Sequence, residues 1–100
     1  MMAPVHAADD ASGLALGRKL FKGGAIPACT LCHTLKDADS TGVIGPVLDE
    51  LKPDAQRVAT ALRNGVGNMP SYKATLSDDD IRALARYVSK VSGAMQGAAR

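Results

Sequence analysis

The sequence predicts an all-α domain in which three main helices are joined by long loops. Apolar residues recur at helical spacing in three stretches, and no convincing segment alternates apolar and polar residues. The core is thin, because the 100-residue chain is 46% hydrophobic with many alanines and has only three aromatic side chains. A domain of this size buries roughly two-thirds of its unfolded surface, so a non-protein group is expected to complete the interior.

The first helix is predicted over about residues 11–22. Leu14, Leu20 and Phe21 lie there among polar residues, and a pair of glycines ends the run. Gly17 weakens this helix by ~1 kcal/mol relative to alanine. Such a glycine is expected only where it lets another helix approach closely.

The second helix is predicted to open at Pro53, because proline suits the first turn of a helix. Ala55, Val58 and Leu62 follow at helical spacing. The dipeptide Asn64-Gly65 ends this helix.

The third helix has the clearest signals. Ser77 is a good N-cap, and three aspartates follow it in the first turn, where negative charge suits the helix dipole. Ile81, Leu84 and Val88 form one apolar stripe, and Gly93 ends the helix.

Composition and length narrow the class of protein. The net charge is +2, no block of five like charges occurs and aromatic residues are scarce, so nucleic acid is not an expected partner. No apolar run approaches the roughly 20 residues that cross a bilayer, so no membrane insertion is expected.

Residues 10–93 are expected to form one domain, between a signal-peptide remnant or flexible tail at 1–9 and a flexible tail at 94–100. The long loops, roughly 24–52 and 64–76, are expected to pack against something and to carry the function.

Cys29-Thr30-Leu31-Cys32-His33 is a C-x-x-C-H sequence, the signature of c-type haem attachment. One helical turn brings both sulfurs to one face, where each adds to a vinyl group of the porphyrin and the adjacent histidine reaches the iron. Three alternatives remain open. A thioredoxin-like redox pair expects a βαβ context that this sequence lacks, and a zinc site would find a spare histidine only in His6. A disulfide between Cys29 and Cys32 would leave His33 unexplained.

Met69 is the candidate for a second axial ligand if His33 is the first. A six-coordinate iron needs such a ligand, and a thioether favours ferrous iron. The other three methionines are terminal or lie beyond the last helix. Met69 stands among glycines and before Pro70, whereas methionines that fill a core usually ride on periodic apolar faces.

These motifs, taken in order, resemble the small class I cytochromes c of bacterial type. The resemblance covers roughly residues 11–92. It implies a cytochrome c fold wrapped around one covalent haem, attached through Cys29 and Cys32, with His33 and Met69 as axial ligands. The residues that carry it are Gly17, Phe21 and Tyr87 on the first and last helices, the C-x-x-C-H sequence, Gly45-Pro46-x-Leu48, and Met69-Pro70.

The resemblance also implies roles around the haem. The carbonyl of Pro46 accepts the second ring N–H of the ligating histidine, unless this proline is a simple turn residue. Gly17 lets the first and last helices approach, with Phe21 and Tyr87 beside the crossing. Tyr72 donates its hydroxyl to a haem propionate or to the loop, or else is a half-buried packing residue. The apolar side chains expected to surround the porphyrin are Leu31, Leu35, Val47, Leu48, Leu62 and Val66.

With both axial positions filled, the implied function is outer-sphere electron transfer by a carrier rather than an enzyme. The chain is expected to be a periplasmic monomer that takes electrons from a dehydrogenase and passes them to an oxidase or another cytochrome in transient complexes. The segment 45–72 is similar to the small cytochromes that receive electrons from bacterial sulfite dehydrogenases. Lys36, Lys52, Arg63 and Lys73 either steer an acidic partner or are solvated charges. The alternative functions are a haem enzyme or gas sensor with a labile sixth ligand, and a thiol oxidoreductase.

Overall fold

A computed structural model describes residues 11–94 and shows a mostly helical fold, as predicted. The predicted tail at 1–9, and the predicted tail at 94–100 apart from Ala94, lie outside the described residues, as do His6 and Met95. None of the helices within residues 11–94 has the length and apolar character that a membrane span requires. The elements are α1 (Ala11–Lys19), β1 (Thr34–Leu35), β2 (Ser40–Thr41), α2 (Leu48–Leu51), α3 (Ala55–Asn64) and α4 (Asp78–Ser92), with a π-helical turn at Leu20–Gly24 and 3-10 helices at Cys29–Leu31 and Lys36–Ala38.

Helix α4 forms where the sequence predicts it. The Ser77 hydroxyl accepts the backbone N–H of Asp80 at 3.0 Å, and the Asp80 carboxylate accepts the N–H of Ser77 at 3.4 Å. This capping box satisfies donors that the first turn would leave unpaired. Gly93, with a φ of 102°, supplies the left-handed residue that ends the helix.

Helix α3 begins two residues later than predicted. Asp54, not Pro53, precedes its first turn as the N-cap, and the Asp54 carboxylate accepts the backbone N–H of Arg57 at 2.8 Å. Aspartate is a strong N-cap because its oxygen satisfies one of the unpaired donors of the first turn.

Two short elements were not predicted. The strands β1 and β2 form an antiparallel ladder of two residue pairs, which is too short for an alternating sequence pattern to reveal. Helix α2 has four residues and ends at Lys52, whose φ of 49° is left-handed. Both elements lie in the long predicted loop at 24–52 and give it local order.

The core is built on the crossing of α1 and α4. A Cβ added to Gly17 would lie 2.6 Å from the carbonyl oxygen of Ala83, so the two backbones approach this closely only because residue 17 is glycine. Phe21 and Tyr87 pack beside the crossing, with ring centroids 6.2 Å apart and ring planes at 59°. The predicted role of Gly17 is therefore confirmed.

A polar cluster joins this crossing to the segment that follows the C-x-x-C-H sequence. The hydroxyl of Tyr87 donates to the Asp37 carboxylate at 2.6 Å, and the Arg18 guanidinium lies 3.7 Å from the same carboxylate. Burial, together with the bond to Asp37, raises the pKa of Tyr87 above its ordinary value. The cluster ties both helices to the loop that leads into the site.

Candidate functional site

An apolar cavity of about 840 Å³ opens between the loops and helices α2, α3 and α4. Its volume lies in the range of about 300–1,000 Å³ that is usual for ligand pockets. The largest apolar side chains of its wall include Phe21, Leu62 and Leu84. The wall brings together all the predicted site residues, which are Cys29, Cys32, His33, Pro46, Met69 and Tyr72.

Cys29 and Cys32 lie one 3-10 turn apart on the cavity wall. The N–H groups of Cys32 and His33 both donate to the carbonyl of Cys29, at 3.2 and 3.0 Å. No disulfide joins the two cysteines. Burial raises the pKa of the Cys29 thiol to about 11, whereas the attacking cysteine of a thiol oxidoreductase has a lowered pKa. The arrangement therefore argues against the thioredoxin-like alternative.

His33 is oriented by a backbone carbonyl, as the family resemblance implies. Its Nδ1 lies 2.8 Å from the carbonyl oxygen of Pro46, so Nδ1–H donates and the Nε2 lone pair is left free to bind a metal. Within residues 11–94, no group of three or more His, Cys, Asp or Glu side chains is placed to hold a metal ion. The zinc alternative therefore finds no ligand set in this part of the chain.

The loop at 42–46 presses its backbone against the C-x-x-C-H segment. A Cβ added to Gly42 would lie 2.6 Å from the carbonyl oxygen of Thr30, and one added to Gly45 would lie 2.7 Å from Cε1 of His33. Val43 and Ile44, between these glycines, are 84% and 71% exposed. Close contact therefore requires glycine at both positions. The need for glycine at Gly42 was not predicted from the sequence.

Met69 lies on a closed turn at the end of α3. Val66 and Met69 exchange backbone hydrogen bonds of 3.0 and 2.8 Å across the turn. Gly67 within the turn has a φ of 56°, and the Gly65 N–H donates to the Ala61 carbonyl at 2.8 Å. The turn is thus closed on itself and attached to a helix, with the Met69 side chain partly buried against the core.

Tyr72 connects the methionine turn to the cysteine segment. Its hydroxyl donates to the carbonyl of Pro27 at 2.7 Å, and its backbone N–H donates to the carbonyl of Leu62 at 2.6 Å. The side chain is buried, and burial raises the pKa of the hydroxyl to about 12. Of the roles expected for Tyr72, the structure shows a hydrogen bond from its hydroxyl to a loop carbonyl, that of Pro27.

The predicted apolar lining is correct only in part. Leu48, Leu62 and Val66 line the cavity. Leu31 is 63% exposed. Cys29 and Cys32 share one face of the 3-10 turn, because residues i and i+3 of such a turn are aligned, so the residues between them point away from the cavity. Leu35 is fully buried elsewhere in the core, and Val47 is only partly buried and does not line the cavity.

Helix α4 supplies part of the wall that sequence reasoning did not assign to the site. Leu84 and Val88 line the cavity and are four residues apart on the apolar stripe of α4. Their spacing predicts a buried helix face. It does not predict that this face borders a cavity, which depends on how α3 packs against α4.

Comparison with known proteins identifies the family. The family model described as "Cytochrome C oxidase, cbb3-type, subunit III" matches residues 13–88. Cytochrome c6 of Leptolyngbya boryana is 31% identical over 78 residues, which cover 74% of this chain and 87% of that protein. Cytochrome c-551 of Bacillus subtilis (strain 168) is 34% identical over 65 residues, which cover 63% of this chain and only 54% of that longer protein. The crystal structure of the c-type cytochrome SorU from Sinorhizobium meliloti is 54% identical, with a TM-score of 0.81, over 84% of this chain and 95% of that one.

The observed site fits the cofactor that this family carries. Two free cysteines at C-x-x-C spacing border the same large apolar cavity as a histidine whose ring is already oriented. This donor set suits covalent attachment of one haem c. The chain therefore belongs to the cytochrome c family of that model, and is a small, mostly helical electron carrier with a single covalent haem c.

Proposed function

We propose that this chain carries single electrons between redox proteins of the periplasm, with its haem iron bound by His33 and Met69. The observation that carries the proposal is that His33, held by Pro46, and Met69, held by its closed turn, border the same cavity as both cysteines. When bound, the haem supplies an iron that alternates between the ferrous and ferric states. A thioether ligand and an apolar wall both favour the ferrous state, so a positive potential is expected.

The protein's part is to keep one ligand geometry in both oxidation states. The carbonyl of Pro46 holds the imidazole, and the paired backbone of Val66 and Met69 holds the thioether. We assign Tyr72 as a positioning residue, because its hydroxyl joins the methionine turn to the segment before Cys29. These hydrogen bonds lie within the polypeptide, so a change of charge on the iron does not break them. Little rearrangement then accompanies each transfer.

The same contacts favour a carrier over a haem enzyme or gas sensor. Those functions need a sixth ligand that leaves the iron readily. The turn that bears Met69 is closed by two backbone bonds and fastened to α3 through Gly65. Covalent attachment of haem takes place in exported compartments, which supports the periplasmic location.

Partner docking is proposed at the mouth of the cavity. Ile44 and Val66 line the cavity and are 71% and 63% exposed, which suits a small apolar contact where the haem edge nears the surface. Of the four basic residues considered above, Lys36, Lys52 and Lys73 are exposed. Lys52 donates to the Asp49 carbonyl at 2.5 Å and Arg63 lies 3.7 Å from Asp78, so these two are already engaged.

The proposed electron donor is a dehydrogenase, with sulfite dehydrogenases as the first class to test, because the segment 45–72 resembles the cytochromes that serve them. The proposed acceptor is an oxidase or another cytochrome. The chain meets its partners as a monomer, in transient complexes. Stopped-flow reduction by a purified sulfite dehydrogenase is expected to be fast and to slow at high salt. Lys73→Glu should slow it, whereas Lys90→Glu on α4 should not. Failure of that enzyme to reduce the protein would remove it as the donor.

Met69→Ala tests the ligand assignment. The variant should lose the weak charge-transfer band of a ferric iron–thioether bond, have a lower potential and bind added imidazole or carbon monoxide. Met95→Ala, which removes a methionine beyond α4, is the matched control and should behave as the parent protein. A Met69→Ala protein that keeps both its potential and its band would show that Met69 is not the ligand.

A further inference from the structure

Helix α3 and the segment that follows Met69 are joined at the end of the helix. The last carbonyls of a helix have no partner within it. In α3 the carbonyl of Leu62 accepts the backbone N–H of Tyr72 at 2.6 Å, and the carbonyl of Arg63 accepts the hydroxyl of Ser71 at 2.5 Å. The chain therefore leaves the helix, carries Met69 around its turn and returns to the carbonyls that it has just left.

The returning segment passes close to Gly65. A Cβ added to Gly65 would lie 2.9 Å from the carbonyl oxygen of Met69 and 3.0 Å from the backbone nitrogen of Ser71. Pro70, between these two residues, has no N–H to donate. The first hydrogen bond from beyond Met69 back to α3 is therefore made by the Ser71 hydroxyl.

This hydroxyl differs in kind from the contacts that close the methionine turn. Those contacts join backbone atoms, so a change of side chain leaves them in place. The Ser71 hydroxyl donates to the Arg63 carbonyl and also accepts the backbone N–H of Lys73 at 3.2 Å. The side chain at position 71 thus decides how firmly the segment after Met69 is fastened to α3.

We propose that Ser71 is a positioning residue that slows the release of the Met69 thioether from the haem iron. The inference rests on the proposed function, because it requires Met69 to be the axial ligand. A ligand that raises the potential binds ferrous iron more tightly than ferric iron, so the ferric protein depends most on the polypeptide to hold the methionine in place. The Ser71 hydroxyl supplies part of that hold.

The test measures how fast the ferric holoprotein releases the thioether. Imidazole binds the iron only after the methionine leaves, so the stopped-flow rate at saturating imidazole approaches the rate of methionine dissociation. Ser71→Ala should raise that limiting rate roughly 2- to 10-fold, as expected for the loss of one hydrogen bond to a neutral acceptor. The ferric thioether band and the potential should stay close to those of the parent protein, because the ligands are unchanged. Ser71→Thr, which keeps the hydroxyl, should have a limiting rate near that of the parent.

Two variants serve as controls. Thr75→Ala removes another exposed hydroxyl of the same loop, which lies 3.5 Å from the Tyr72 carbonyl rather than on α3. Tyr87→Phe removes the 2.6 Å hydrogen bond to Asp37, and neither residue lines the cavity, so this variant lowers the free energy of unfolding away from the methionine turn. Both variants should keep the limiting rate of the parent protein.

Two results would overturn the inference. One is the same limiting rate in Ser71→Ala and Thr75→Ala. The other is a rise in Tyr87→Phe as large as that in Ser71→Ala, because the effect would then come from a general loss of stability. Failure of the ligand assignment itself has a different signature, since the ferric parent protein would lack the thioether band and would bind imidazole without reaching a limiting rate.

Discussion

The α1–α4 crossing and the loop-built wall of the haem cavity are held together in different ways. At the crossing, side chains fill the space, and Gly17 allows contact so close that an added methyl group would meet a backbone carbonyl. In the loops, single hydrogen bonds join one segment to another, as between His33 and Pro46 or Tyr72 and Pro27, and a cavity of about 840 Å³ lies between them. The comparison teaches that the polypeptide fills the space at the crossing with its own side chains, whereas the loops surround a space that the polypeptide does not fill.

The largest expected effect comes from preventing haem attachment. In a Cys29→Ala, Cys32→Ala double variant the loops lose the body that they enclose, so we expect a largely unfolded chain. Circular dichroism during heating should show no cooperative transition, and the mass should equal that of the bare polypeptide. Thr30→Ala, in the same turn, should attach haem and melt cooperatively. A native-like transition in the haem-free protein would show that the helices alone sustain the fold.

The next effect is at the crossing itself. In Gly17→Ala the new methyl group would lie 2.6 Å from the carbonyl oxygen of Ala83, and neither backbone can move without shifting its helix. We expect a loss of about 2–3 kcal/mol in the free energy of unfolding, measured by denaturant titration of the holoprotein. Lys19→Ala is the control, because Lys19 is an exposed residue of the same helix and surface substitutions usually change stability by less than about 0.5 kcal/mol. Equal stabilities of the two variants would refute the close contact.

Tyr87→Phe probes how strongly the crossing is tied to the loop beyond the haem motif. It removes the 2.6 Å hydrogen bond to the Asp37 carboxylate, an acceptor that is charged but partly exposed. The expected loss is about 1.5 kcal/mol, with an unchanged potential because the cluster does not line the cavity. Asp39→Asn, nearby and exposed, should leave the unfolding free energy within about 0.5 kcal/mol of the parent value. A change of potential in Tyr87→Phe would mean that the two regions are coupled.

Tyr72→Phe gives the smallest expected change in stability, about 1 kcal/mol near neutral pH, because the lost bond has a neutral acceptor. Its signature is the dependence on pH. The folded protein raises the pKa of Tyr72 from 10.0 to about 12, so the protonated hydroxyl stabilises the fold fully below pH 10.0 and progressively less as the pH rises through about 12. Stability measured from pH 9 to 12 should therefore fall less steeply in Tyr72→Phe than in the parent protein. Parallel curves would show that the hydroxyl is not the titrating group.

The two regions also differ in how far the sequence alone predicts them. The proposed ligand residues follow from short motifs, since the chemistry of C-x-x-C-H and of a methionine among turn formers is local. The helices follow from periodicity and caps, although Asp54 rather than Pro53 sets the start of α3. What the sequence does not show is contact between distant segments. Tyr72 and Pro27 are 45 positions apart, and Leu84 and Val88 belong to an ordinary buried helix face until α3 is placed beside α4.

The loop at 42–46 holds His33, the proposed haem ligand, with main-chain atoms, through the carbonyl of Pro46 and the backbone of two glycines. Its side chains at Val43 and Ile44 are 84% and 71% exposed. The atoms that the loop exposes to solvent are therefore different from the atoms that hold the imidazole ring. Natural variation or laboratory design can change what another protein contacts at those two positions without altering the main-chain hydrogen bond that orients the ring.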